Sequence, residues 1–399
     1  MDEISVMVCD DSALMRNLIG RIVDETNGLT VCGKAENGLD LLEKLKTTKA
    51  DVILLDIEMP KMNGVEFLKK RKELRIDVPV IILSSVATEG AAVTIECLDL
   101  GASDFITKPG GTSVTLKIGD VTKDIIELIA SYGGTYASAH GKKIPDPEYF
   151  SHQIKLKEAE RFVIQKKGDD AAKSASITKK DIVPESWFKP QVKEPVVITP
   201  AREGGKIEII AIGISTGGPN ALRDVFKAID PRLKQPILVV QHMPAGFTKE
   251  FANSLNNICP LTVTEAVDGE PILEGHIYIA PGSYHMFVEH RALGNFIKLS
   301  QDDPRNGHRP SCDVLFESVA NIFQNRALGV IMTGMGRDGA AQITEMRKQG
   351  AWTLGQDQAS SIVYGMPKVA YELGGVQKQV PLMQMADEIS KLAREHLVS

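Results

Sequence analysis

The stretch Ile207-Glu208-Ile209-Ile210-Ala211-Ile212-Gly213-Ile214-Ser215-Thr216-Gly217-Gly218-Pro219 decides the fold class of this chain. The run from Ile207 to Ile212, apolar except for Glu208, has the length and β-branched content of a buried strand. Glycines then allow a sharp turn, and Pro219 sits where a helix begins. Strand, tight turn and helix in that order are the opening of a βαβ unit, in which a parallel sheet presents its loops at the carboxyl edge.

The same alternation runs along both halves of the 399 residues. Ile4 to Cys9, Val52 to Leu55, Val80 to Leu83 and Phe105 to Thr107 read as buried strands of a first half. Ile237 to Val240, Ile277 to Ala280 and Leu328 to Met332 join Ile207 to Ile212 in a second. The expectation is α/β, with two doubly wound parallel-sheet domains, since one core does not ordinarily grow to this length. The expected limits are 1–131 for the first domain, 132–205 for a long linker and 206–399 for the second. Within the linker, Gly, Ser, Lys and Asp rise and Pro145, Pro147, Pro184, Pro190, Pro195 and Pro200 interrupt long elements, although Pro147 to Lys167 has the apolar spacing of a helix.

Composition excludes several classes of function. Hydrophobic residues at 43% and charged residues at 25% are those of an ordinary globular protein. A formal net charge of −6 opposes a broad nucleic-acid or anionic-membrane surface. The five cysteines are scattered with no Cys-x-x-Cys pair, so reduced core thiols are expected. The beginning of the chain lacks a basic signal-like region and no apolar run is long enough for a membrane helix, so a cytoplasmic location is expected.

In the first half, Asp10 and Asp11 end one predicted strand and Asp56 ends another. Three carboxylates gathered at one sheet edge repel unless a hard divalent cation neutralises them, and Mg²⁺ takes oxygen ligands while keeping waters that a phosphate can replace. Ser84 and Lys108, at two further strand ends, add a hydroxyl and a cation suited to a phosphoryl group on Asp56. Read singly, each has an ordinary alternative, Asp11-Ser12 being a plausible helix cap. Asp10-Asp11-Ser12, Leu55-Asp56-Ile57-Glu58-Met59-Pro60, Gly64, Leu83-Ser84-Ser85 and Lys108-Pro109 together resemble the signature of bacterial two-component receiver domains. That resemblance implies a flavodoxin-like fold, Asp56 as the phosphorylation site, Asp10, Asp11 and Asp56 around Mg²⁺, and Ser84, Phe105 and Lys108 as switch residues. Phe105 is otherwise simply a core aromatic.

In the second half, the turn after Ile214 presents the Ser215 hydroxyl beside backbone N–H groups at a helix start, a place that suits an oxyanion or a phosphate equally. The stretch matches Gly-x-Ser-x-Gly, but in that hydrolase fold the acid precedes the histidine. Here the best histidine is His242, after Ile237 to Gln241, and the best acid is Asp338, after the turn Thr333-Gly334-Met335-Gly336-Arg337. The order Ser, His, Asp points to a convergent triad in which His242 takes the Ser215 proton and Asp338 orients His242. His285 is the strongest rival base, with His276, His290 and His308 behind it. A receiver-controlled binding protein holding a nucleotide or phosphoprotein at Gly213 to Pro219 is the alternative, and an adaptor with a degenerate catalytic half is a third reading. A DNA-binding regulator is disfavoured because the second half has no basic recognition helix.

The stretches Gly213 to Pro219, Gln241-His242-Met243-Pro244-Ala245-Gly246-Phe247-Thr248 and Met332 to Gly339, with Ala280-Pro281-Gly282 and Arg309-Pro310-Ser311, resemble the catalytic domain of chemotaxis protein-glutamate methylesterases. This implies a Rossmann-like catalytic domain that removes methyl groups from receptor glutamates and also deamidates receptor glutamines. Catalysis falls to Ser215, His242 and Asp338, with oxyanion donors at the backbone N–H groups near Thr216 and Met335 and no cofactor for the ester reaction. The implied partners are methyl-accepting chemotaxis receptors and a chemotaxis histidine kinase as phosphodonor, with peripheral contact to receptor arrays but no membrane insertion and no nucleic acid. In that family the unphosphorylated receiver covers the active-site face, and phosphorylation relieves the block.

Overall fold

Val, Ile and Leu fill the short runs between charged amphipathic stretches, and these runs become the centre of two separate parallel sheets. The computed structural model describes residues 2–84, 88–108, 114–147, 149–154 and 194–397. The chain divides into two compact units, one around each sheet.

The first sheet contains β1 (Ile4–Cys9), β2 (Leu29–Ala35), β3 (Val52–Asp56), β4 (Val80–Ser84) and β5 (Asp104–Thr107). All pairs are parallel, in the order β2-β1-β3-β4-β5. The direction of winding reverses between β1 and β3, the place where open α/β sheets leave a crevice at their carboxyl ends. Every residue of β3 and β4 is buried, as a sheet covered on both faces requires. Register places Cys9 opposite Leu55, so Asp10 and Asp56 leave adjacent strands side by side.

The helix Val114–Leu128 continues through a π-helical turn, Ile129–Gly133, into Gly134–Ala139. The boundary expected at residue 131 therefore falls inside a helical run. Gly133 lies so close to the sheet that a Cβ there would come within 2.7 Å of Ile4 and 3.0 Å of Val52. The Tyr132 hydroxyl reaches Ser103 O at 2.9 Å and Asp104 Oδ2 at 3.1 Å, and Lys142 pairs with Asp51 at 2.6 Å. The small residues that resemble linker composition here serve close packing of a helix on β1 and β3. Of the helix expected over 147–167, residues 149–154 are helical with Phe150 and Ile154 buried, while 155–167 lie outside the described residues, as do Pro184 and Pro190.

The second unit holds β6 (Ile209–Ile214), β7 (Ile237–Gln241), β8 (Thr262–Glu265), β9 (His276–Ile279), β10 (His285–Arg291), β11 (Gly294–Ser300), β12 (Ala327–Ile331), β13 (Trp352–Gln356) and β14 (Lys378–Val380). Seven of these form one parallel sheet in the order β14-β13-β12-β6-β7-β9-β8, and β10 with β11 form an antiparallel hairpin apart from it. Winding reverses at β6, whose neighbours are β7 and β12. Ile214 is paired with Gln241 and Gly213 with Ile331, so chain leaving β6, β7 and β12 emerges at one edge. The helices Gly218–Ala228 and Cys312–Phe323 bury their apolar faces, Phe226 and Phe316 being fully enclosed.

Candidate active site

Ser215, His242 and Asp338 each follow a strand of the second sheet, and the loops that carry them converge. His242 Nδ1 lies 3.0 Å from Ser215 Oγ, and His242 Nε2 lies 2.8 Å from Asp338 Oδ2. A proton held on Nε2 by the Asp338 carboxylate leaves the Nδ1 lone pair facing the serine hydroxyl. The two ring nitrogens thus trade the places they occupy in serine proteases, with the same chemical outcome.

Asp338 is buried, and burial alone would raise its pKa. Instead the group is held below the usual carboxylate range by His242, by Ser311 Oγ at 2.7 Å and by Asn306 Nδ2 at 2.8 Å. Two backbone N–H groups at the start of the helix Cys312–Phe323 add to this, Cys312 N at 2.6 Å and Asp313 N at 3.3 Å. A carboxylate at a helix N-terminus with this many donors stays ionised where it is needed.

Asn306 arrives on a tight turn. Asn306 and Gly307 have φ of 53° and 81°, and Arg305 and His308 bond to each other across them, the geometry that an Asn-Gly pair favours. The turn also lays the His308 ring flat on His242, with centroids 3.8 Å apart and planes 13° from parallel. His308 therefore stacks on the histidine that reaches Ser215, and it is His242 Nδ1 that meets Ser215 Oγ. His285, the expected rival, is buried with its Nε2 on Asp303 O at 3.1 Å. Cys312 Sγ lies 3.7 Å from His242 Nε2, and burial, then Asp338, raise its pKa well above that of an ordinary thiol, so it remains protonated.

Thr333 ties the serine turn to the β12 end. Its carbonyl accepts Ser215 N at 3.0 Å, and its buried hydroxyl donates to Thr216 O at 3.0 Å. Gly334 presses so close that a Cβ would come within 2.8 Å of Ser215 Cβ. This close approach brings Met335 beside the serine turn, and neither Thr216 N–H nor Met335 N–H donates a hydrogen bond among the described residues. Sequence reading named Ser215, His242 and Asp338, and quoted Ser311 and Thr333 inside longer stretches without giving them a contact, while Asn306 went unnamed. For Asn306 the local signal was the Asn306-Gly307 pair.

In the first unit, Lys108 Nζ sits 2.8 Å from both Asp10 Oδ2 and Asp56 Oδ1. Burial opposes the Lys108 charge, but the two carboxylates outweigh it and raise its pKa. Asp56 is raised by burial, which Lys108 only partly offsets. Asp10, Asp11 and Asp56 each bring a carboxylate oxygen within 4.8 Å of the others, Asp11 from the exposed side. Asp10 Oδ2 is buried and has no well-directed hydrogen bond beyond that ion pair, an oxygen-only donor set that fits a hard divalent cation. Ser84 is fully buried at the end of β4, and Phe105 is half-buried on β5. Ser12 caps the helix Ala13–Asp24 through Met15 N, so the capping alternative holds for Ser12 while the aspartates stay with the cluster. Gly64 allows the loop after β3 to fold back, since a Cβ would meet Asp56 O at 2.6 Å.

Comparison with known proteins agrees with this division. Residues 6–118 match the model of the response regulator receiver domain, and residues 210–389 match that of the CheB methylesterase. A protein-glutamate methylesterase/protein-glutamine glutaminase of Treponema denticola is 50% identical over 395 residues, covering 99% of this chain and 100% of the relative. The chain belongs to this family. A relative of the same description from Treponema pallidum is 47% identical, covering 98% of each chain. The crystal structure of the Thermotoga maritima CheB methylesterase catalytic domain is 36% identical over 47% of this chain and 99% of its own, with a TM-score of 0.46.

Proposed function

We propose that the protein hydrolyses glutamate methyl esters on methyl-accepting chemotaxis receptors, and deamidates receptor glutamines, through Ser215, His242 and Asp338. The observation that carries this reading is the unbroken hydrogen-bonded path from Ser215 Oγ through the His242 ring to Asp338. Ser215 Oγ attacks the ester carbonyl while Nδ1 of His242 takes its proton, and the resulting oxyanion is received by the N–H groups of Thr216 and Met335. The intermediate collapses as His242 returns the proton to the leaving atom, the methoxy oxygen of an ester, which departs as methanol, or the nitrogen of an amide, which departs as ammonia. His242 then takes a proton from water, the hydroxide attacks the acyl-serine, and glutamate and Ser215 are released. The ester step needs no cofactor, since the nucleophile, the base and the oxyanion donors are all protein groups.

The first unit supplies control. Asp56 accepts a phosphoryl group from a chemotaxis histidine kinase; Asp10, Asp11 and Asp56 would hold Mg²⁺, which would supply positive charge to offset that of the phosphoryl oxygens. Lys108 faces the same oxygens, and Ser84 and Phe105 transmit the change. The controlling domain spans 1–131, the connector 132–205 and the hydrolase 206–399, with the connector's first residues packed on the first sheet. Among the described residues no helix is long and apolar enough to cross a membrane. This is compatible with a cytoplasmic enzyme that touches receptor arrays peripherally, without insertion and without nucleic acid. The test is methanol release from methylated receptor membranes. Wild type releases methanol and Ser215→Ala does not; release by the folded mutant refutes the assignment.

A further inference from the structure

Gln241 ends β7 immediately before His242, and the residue is 2% exposed. Its Nε2 donates to Ser215 O at 3.0 Å and to His242 O at 3.1 Å. Only an NH₂ group satisfies two carbonyls, so the orientation of the amide follows from its partners. The other end, Oε1, is buried with no hydrogen-bond partner among the described residues. A side chain of the same length without polar atoms, such as methionine, would avoid that unfavourable burial, so filling space does not account for glutamine here. The amide fits because residue 218 is glycine: a Cβ there would lie 1.9 Å from Oε1.

What the amide gains is control of one peptide plane. Ser215 O also accepts Gly218 N at 2.7 Å, so two donors hold this carbonyl. The peptide is planar and trans, and a carbonyl held on one side turns the Thr216 N–H to the other. Hydrogen bonds accepted by the carbonyl also polarise the N–H of the same peptide. The second donor of the proposed oxyanion site is built alike, because Gly334 O accepts Gly365 N at 3.2 Å and Met366 N at 2.8 Å, turning Met335 N–H away from them. Of these four donors Gln241 is the one side chain, and it alone also grips the carbonyl of the base.

We propose that Gln241 is a positioning residue for the reaction: its amide orients and polarises the Ser215–Thr216 peptide for the oxyanion and sets the spacing between Ser215 and His242. This rests on the esterase reading above. The effect belongs to the transition state, where charge appears on the oxygen, and not to substrate binding.

The experiment uses the full chain with Gln241→Met, methanol release being normalised to sites titrated with a fluorophosphonate on Ser215. The expected result is a kcat lower by about 10- to 100-fold with KM within about threefold. Affinity for a boronate that forms a tetrahedral adduct with the serine falls by the same ratio. Gly218→Ala displaces the same amide by its Cβ and gives the same pattern. Titrated sites turning over and binding boronate at wild-type levels in both variants would overturn the proposal. So would failure of both variants to fold, which assigns Gln241 to stability. Ser215→Ala runs beside them: turnover in that variant rejects the esterase reading itself, whereas an inactive Ser215→Ala with a wild-type Gln241→Met rejects the positioning role alone.

Discussion

Replacing Asp338 by asparagine keeps the shape of the side chain and changes what it can do for His242. The carboxylate accepts His242 Nε2 and Cys312 N on Oδ2, and Ser311 Oγ, Asn306 Nδ2 and Asp313 N on Oδ1. An asparagine oxygen can serve the second group, which places its NH₂ against Cys312 N–H and Nε2. The ring then keeps its proton on Nδ1, where it can no longer accept from Ser215. Loss of the correct tautomer costs about 10⁴-fold in kcat in the best studied triad, which is about 5.4 kcal/mol of barrier at about 1.36 kcal/mol per decade. A buried N–H facing another donor adds about 1–3 kcal/mol of lost stability. Because the Asp338 pKa is lowered, its contribution is fully present above the unfolded value of about 4 and fades as pH falls below it. The stability gap between wild type and Asp338→Asn should therefore narrow in acid. Methanol release gives kcat, and thermal unfolding at pH 7 and pH 3.5 gives the gap. A folded Asp338→Asn enzyme within tenfold of wild-type kcat would refute the reasoning.

Asp56→Asn should hold its basal methanol-release rate when a small phosphodonor and Mg²⁺ are added, while wild type rises; a rise in the mutant would remove Asp56 from control. Lys108→Met leaves Asp10 and Asp56 facing each other without their cation, which should lower stability at pH 7 by about 1–3 kcal/mol, discounted for the partial exposure of Lys108. The Asp56 pKa, already raised by burial, should rise further. A raised carboxyl pKa favours folding at low pH, so this deficit should shrink as Asp56 takes up a proton; urea denaturation at pH 7 and pH 5 reads it. Gly334→Ala would place a Cβ 2.8 Å from Ser215 Cβ and 2.4 Å from Met366 Sδ, so kcat should fall more than tenfold, with about 1–3 kcal/mol of stability lost. Unchanged kcat would show that the two loops tolerate separation.

Much of this architecture was legible because its signals are local. Val52 to Leu55 and Ile209 to Ile212 are continuous apolar runs, and continuous runs in an α/β alternation mean strands buried on both faces. The strands that carry no chemistry were harder to find. β2 mixes Thr30, Lys34 and Gly33 with its apolar residues, and β14 has three residues, Lys378–Val380. The hairpin of β10 and β11 lies outside the parallel alternation altogether. Tyr132 to Gly134 looked like connector because small residues mark both linkers and close helix packing, and only the distance from Gly133 to Ile4 and Val52 separates the two. That Ser215, His242 and Asp338 come together was legible since each follows a strand. The contacts around them were not: Asn306, Ser311 and Thr333 reach the site through partners 27 to 117 residues away in sequence.

The most direct test of the central claim is an intact-mass measurement on enzyme quenched in acid during turnover of a receptor glutamate methyl ester peptide. An acyl-enzyme on Ser215 predicts a fraction of protein heavier by the peptide less methanol, mapped to the segment that carries Ser215 and lost in Ser215→Ala. Steady methanol release with no such adduct, even in Asp338→Asn where the steps that use His242 are slowed, would contradict it.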